Sequence, residues 1–75
     1  MAGGEISIDI LVDVLQMAHR RLNPYDYTPV GDLVDSLEDL GIEPLIAKRA
    51  LDTLHNYGLA DKKGEGKDAT YIRKG

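Results

Sequence analysis

The sequence predicts an α+β domain: three helices followed by a C-terminal β-hairpin, with a short extended segment between the first two helices that can supply a third strand. Three observations predict it. Apolar residues recur at helical spacing in three separate stretches. Proline and glycine stand at the borders of those stretches, where helices start and stop. After Gly58 the helical period is lost, and two short runs flank a glycine-rich pentapeptide.

Ile8, Leu11, Leu15, Ala18 and Leu22 form the stripe of the first helix, placed at residues 8–22 and widened by Ile10, Val14 and Met17. Ser7 is its candidate N-cap. Asp9 in the first turn and Arg20 and Arg21 in the last suit the helix dipole. Asn23-Pro24 stops it, because proline drives the preceding residue out of the helical region. Tyr25-Asp26-Tyr27 reads as a loop running into a very short extended segment, and the stretch Tyr25–Thr28 is the candidate third strand. Thr28-Pro29 reads as the start of helix 2, with the hydroxyl as cap and proline at the first helical position. Val30, Leu33, Val34, Leu37 and Leu40 then face inward, Asp32, Asp35, Glu38 and Asp39 outward, and Gly41 ends the helix.

Pro44 opens helix 3, with Glu43 a poor cap before it. Ala47, Ala50, Leu51 and Leu54 face inward, joined by Ile46 and Tyr57, and Gly58 closes the helix. The link from Gly41 to Glu43 is short enough to make helices 2 and 3 neighbours at a sharp angle. Leu59–Lys63 and Ala69–Arg73 are the hairpin strands. Gly64–Asp68 is the tip, expected to be loose. Residues 1–7 read as a flexible leader and residues 8–75 as one domain.

At 75 residues the chain has few apolar groups to spare for an enclosed substrate pocket. It has no cysteine, which excludes disulfides, thiolate metal sites and cysteine nucleophiles and fits a reducing cytoplasm, the expected location. The longest strictly aliphatic run, Ile10-Leu11-Val12, is far too short to span a membrane, so no membrane partner is expected. The net charge is −4 but unevenly spread. Residues 1–43 hold nine acids and two bases, whereas residues 44–75 hold four acids and seven bases. That argues against indiscriminate nucleic-acid binding while permitting a local basic face.

No catalytic or metal constellation is expected, and no cofactor. His19 and His55 lie on different helices without a carboxylate at ligand spacing. Gly64-Glu65-Gly66-Lys67 lacks the spacing of a phosphate loop, and no following helix is expected to direct its amides. The carboxylates Asp32, Asp35, Glu38 and Asp39 match no calcium loop. The four tyrosines are expected to add bulk to a core without Phe or Trp, with Tyr25 or Tyr27 left exposed.

Thr28-Pro29, Leu33, Leu37, Leu40-Gly41-Ile42, then Ala50, Leu51, Leu54, Tyr57-Gly58-Leu59 and finally Tyr71-Ile72 give an order and spacing that resembles the winged helix-turn-helix domain over residues 8–74. The resemblance implies a small DNA-binding protein, a transcriptional regulator that takes double-stranded DNA as partner. Helix 3 would enter the major groove and the hairpin wing would lie on the phosphate backbone. Carried onto this chain, the outward positions of helix 3 are Leu45, Lys48, Arg49, Asp52, Thr53 and Asn56. Of these, Lys48 and Arg49 would reach phosphate or guanine edges and Asn56 would read adenine, with Thr53 beside them. Lys62, Lys63 and Lys67 of the wing would meet phosphate. The alternative is a protein-interaction module of a replication or transcription assembly, docking through the acidic face Asp32, Asp35 and Asp39. In that direction the element order is similar to the C-terminal winged helix of archaeal minichromosome maintenance helicases.

Overall fold

The computed structural model describes residues 8–75, so the expected leader (residues 1–7), including Ser7 as a cap, lies outside the described residues. Its elements are α1 (Ile8–Arg21), β1 (Thr28–Pro29), α2 (Val30–Glu38), α3 (Pro44–Asn56), β2 (Ala60–Lys63), a 3-10 turn (Gly66–Asp68) and β3 (Thr70–Arg73). The fold is α+β, with three helices and a small antiparallel sheet of order β1-β3-β2. No helix among the described residues is long and apolar enough to cross a membrane.

The helices form where the apolar stripes place them, and their ends follow backbone chemistry. Asn23 ends α1 with an Asx turn: its Oδ1 accepts from the N–H groups of Tyr25 and Asp26 at 2.7 and 3.1 Å. α2 and α3 both close on a left-handed glycine, Gly41 at φ 88° and Gly58 at φ 76°. In each case the next residue donates to a carbonyl five residues back, Ile42 N–H to the Leu37 carbonyl and Leu59 N–H to the Leu54 carbonyl. Those are Schellman closures, which satisfy carbonyls the helix would leave bare. Pro44 occupies the first position of α3, and Glu43 makes no side-chain cap bond.

The start of α2 corrects the expected one. Thr28 and Pro29 are not cap and first helical residue but the strand β1, paired with Tyr71 and Thr70 of β3. Pro29 is extended (ψ 142°), no side chain caps the helix, and the first helical N–H, that of Val30, donates to the Ala69 carbonyl at 2.9 Å. An edge strand tolerates proline because no ladder hydrogen bond is required on its open side. The third strand therefore lies just beyond Tyr25-Asp26-Tyr27.

α3 packs against both other helices and against β2. Val14 and Ala18 of α1 with Leu22 just past its end, Leu33 and Leu37 of α2, and Ala47, Ala50, Leu51 and Leu54 of α3 are buried in one core. Ala60, Ala69 and Tyr71 seal it from the hairpin side. Each fully buried leucine contributes about 1.5–3 kcal/mol by leaving water. Ile10, expected in the α1 stripe, is 56% exposed, and two residues expected inside at helix ends are also outside: Leu40 is exposed, and Tyr57 is 73% exposed. Leu40 and Tyr57 continue a helical stripe in the sequence but sit in the turns past α2 and α3, where the backbone has left the helical course. Of the tyrosines only Tyr71 is a core residue.

The hairpin tip also differs from expectation. Rather than loose, it is closed by the 3-10 turn, with Asp68 N–H on the Glu65 carbonyl and Ala69 N–H on the Gly66 carbonyl. Gly64 permits this: it has φ 82°, and a Cβ there would stand 2.6 Å from the Asp68 carbonyl oxygen.

Candidate functional site

A groove of about 500 Å³ separates α3 from the hairpin. Pro44, Lys48 and Asp52, four residues apart on one edge of α3, line one side. Lys62, Lys67 and Tyr71 line the other, and Val30, Val34 and Asp35 of α2 close the end. The position of the hairpin follows from its packing. Leu59 begins where α3 closes, Tyr71 is buried at 3% exposure, and the Tyr71 hydroxyl reaches Asp52 Oδ1 at 3.3 Å. α3 and the hairpin are thus two walls of one feature.

The groove brings together Lys48, Lys62 and Lys67 from the residues named in the sequence. Arg49, Thr53, Asn56 and Lys63 do not line it. Arg49 and Asn56 are exposed on α3. Thr53 is half-buried, and its hydroxyl donates to the Arg49 carbonyl at 2.8 Å, so its proton is already used within the helix. Lys63 belongs to the other face of the sheet. Side chains alternate along a strand, so Lys62 shares its face with Tyr71, while Lys63 lies 4.4 Å from the centre of the Tyr27 ring. That face also carries a 2.6 Å hydrogen bond from the Tyr27 hydroxyl to Asp61 Oδ2.

Two residues of the groove escaped sequence reasoning as a pair. In the sequence Asp52 reads as an outward position of helix 3, and Tyr71 as core bulk on the last strand. In the structure Asp52 Oδ1 accepts from Tyr71 and lies 3.8 Å from Lys62 Nζ, which itself sits 5.9 Å from the centre of the Tyr71 ring. Burial, then the neighbouring Asp52 charge, push the Tyr71 phenol up to about 12. On the opposite face the hydrogen bond to Asp61 raises the Tyr27 phenol, and the same bond, helped by the Lys62 N–H, lowers the Asp61 carboxyl. The groove holds three lysines against Asp35 and Asp52, a small positive excess within an acidic protein.

The acidic side chains Asp32, Asp35, Glu38 and Asp39 are exposed along and just past α2, and none makes an ion pair among the described residues. No group of three or more His, Cys, Asp or Glu among the described residues could hold a metal ion. His55 is exposed. His19 is half-buried beside a second, apolar cavity of about 230 Å³ lined by Val12, Leu15, Leu54 and Leu59, and its Nε2 is buried without a hydrogen-bond partner among the described residues. Searches for similar proteins return no matching family model, no matching curated protein and no matching solved structure.

Proposed function

We propose that this chain is a small winged-helix DNA-binding protein, acting as a transcriptional regulator. α3 is its reading helix and the β2–β3 hairpin its wing. The observation that carries the proposal is the shared groove: Lys48 comes from α3 and Lys62 and Lys67 from the hairpin, yet all three line one cleft. Arg49 and Asn56 stand exposed on the same helix, free to reach base edges. The groove carries a small positive excess although the chain as a whole is acidic. That favours a localised contact over general attraction to nucleic acid.

Lys48, Arg49, Lys62 and Lys67 supply up to four phosphate contacts, Lys63 being turned to the other face of the sheet. With a slope of about −0.9 per contact, log affinity falls by about 3.6 per decade of salt, roughly 150-fold between about 50 and 200 mM. Anisotropy titration of a labelled duplex across that range tests this. Salt-sensitive binding, with a slope shallower by about 1 in each of K48Q and K67Q, supports the proposal. No binding at low salt, or binding indifferent to salt, removes it.

A second function is favoured by one specific observation, the four exposed and unpaired carboxylates on and after α2 beside the exposed Leu40. A basic protein surface would find its complement there. Charge reversal at Asp32 and Asp39, which do not line the groove, abolishes such a contact while leaving DNA binding intact.

A further inference from the structure

Asp52 is the only acid within α3, and it lies on the edge that faces the groove. On a surface meant for phosphate it is a penalty paid with every DNA sequence. Its placement is nevertheless controlled. Oδ1 takes the Tyr71 hydroxyl at 3.3 Å and has Lys62 Nζ at 3.8 Å, and Tyr71 is itself held in the core. Oδ2 has no hydrogen-bond partner among the described residues, and the side chain is 63% exposed. One oxygen anchors the group and the other is presented outward, the division of labour a reading residue needs.

A carboxylate only accepts hydrogen bonds. In the major groove the partners that donate are the exocyclic amines, N4 of cytosine and N6 of adenine, whereas guanine O6 and N7 and thymine O4 are acceptors that repel it. Adenine flanks its amine with the N7 acceptor on the same base; cytosine does not. We propose that Asp52 is a specificity-determining residue that selects cytosine at one position of the DNA site through its N4 amine. The inference rests on the DNA-binding function proposed above. It turns the acid on α3 from a defect of the surface into the source of its selectivity. Phosphate attraction from the groove lysines is nearly equal for all sequences, while the Asp52 contact is favourable with one base and unfavourable with two.

Selection from a pool of duplexes with a randomised core, using the wild type, D52A and D52N, tests this, with far-UV circular dichroism confirming that each variant is folded. The wild type is expected to enrich sequences with cytosine at one position. D52A should lose that preference by about tenfold at that position alone. D52N should shift it toward adenine, because an amide can donate to N7 while accepting from N6. Should D52A fail to fold, D52N decides, since its amide oxygen still accepts from Tyr71. Identical base preferences in wild type and variants overturn the role of Asp52, as does a loss spread evenly over every position, which marks a structural residue. Binding with no enrichment of any sequence also overturns it but leaves DNA binding standing. Absence of binding to any duplex at low salt overturns both.

Discussion

The Tyr71 hydroxyl donates to Asp52 Oδ1 at 3.3 Å, so the central strand of the sheet is tied to the groove edge of α3. Tyr71 lies opposite both Thr28 and Lys62 in the sheet register and is almost fully buried. Packing therefore outweighs the hydroxyl. Y71A is expected to cost about 3–5 kcal/mol, a large share of the stability of any small domain. Y71F is expected to cost only about 1 kcal/mol. Urea denaturation of the two variants checks the ratio, and equal losses would place the energy in the hydrogen bond instead.

The same residue sets an alkaline limit. Its phenol is pushed up to about 12 by burial and by Asp52, whereas in the unfolded chain it titrates near about 10. Below pH of about 10 it is protonated in both states and its contribution is complete. Between about 10 and 12 the unfolded chain ionises first, and stability is lost with rising pH. Y71F should show a shallower decline over that window. Denaturation midpoints that fall equally steeply in Y71F would assign the decline to other groups.

Asp61 acts at the opposite end of the pH scale. Tyr27 and the Lys62 N–H hold its carboxyl below the ordinary carboxylate value. It contributes stability above the unfolded value of about 3.9, and that contribution is lost as pH falls through the lower folded value. D61N and Y27F should each flatten the acid limb of the stability profile. An unchanged limb in both variants would mean that the 2.6 Å bond adds nothing in solution.

Two tip glycines separate backbone preference from crowding. Gly64 and Gly66 both have positive φ, but a Cβ at Gly64 meets the Asp68 carbonyl at 2.6 Å while one at Gly66 meets nothing within 4 Å. G66A should cost about 1 kcal/mol, and G64A distinctly more, because the tip must shift as well. Thermal denaturation ranks them, and the reverse order would contradict the closed tip.

Much of this fold was legible because its signals are local. Helix spacing, proline starts and glycine stops placed α1 to within a residue at its end and marked where α2 and α3 close. The failures were non-local. Thr28-Pro29 satisfies the local pattern of a helix start, yet pairing with Tyr71 and Thr70, far along the chain, makes it a strand. Leu40 and Tyr57 obey the stripe but lie beyond its physical end. For the site, the residue types were visible and their grouping was not. Lys62 and Lys63 are adjacent in sequence and equivalent in charge, and only strand alternation sends one to the groove and the other to Tyr27. T28V is a direct check on the first of these corrections. Loss of a capping hydroxyl would cost about 1 kcal/mol, whereas a strand position should accept valine at little or no cost.

The central claim is that α3 and the hairpin present one surface to DNA. Amide chemical-shift mapping during titration with a duplex tests it most directly. The account predicts shifts on Lys48, Arg49, Asp52 and Asn56 together with Lys62 through Lys67, moving in step along one binding curve. Shifts on only one of the two elements, or centred on Asp32 and Asp39 outside the groove, would contradict it.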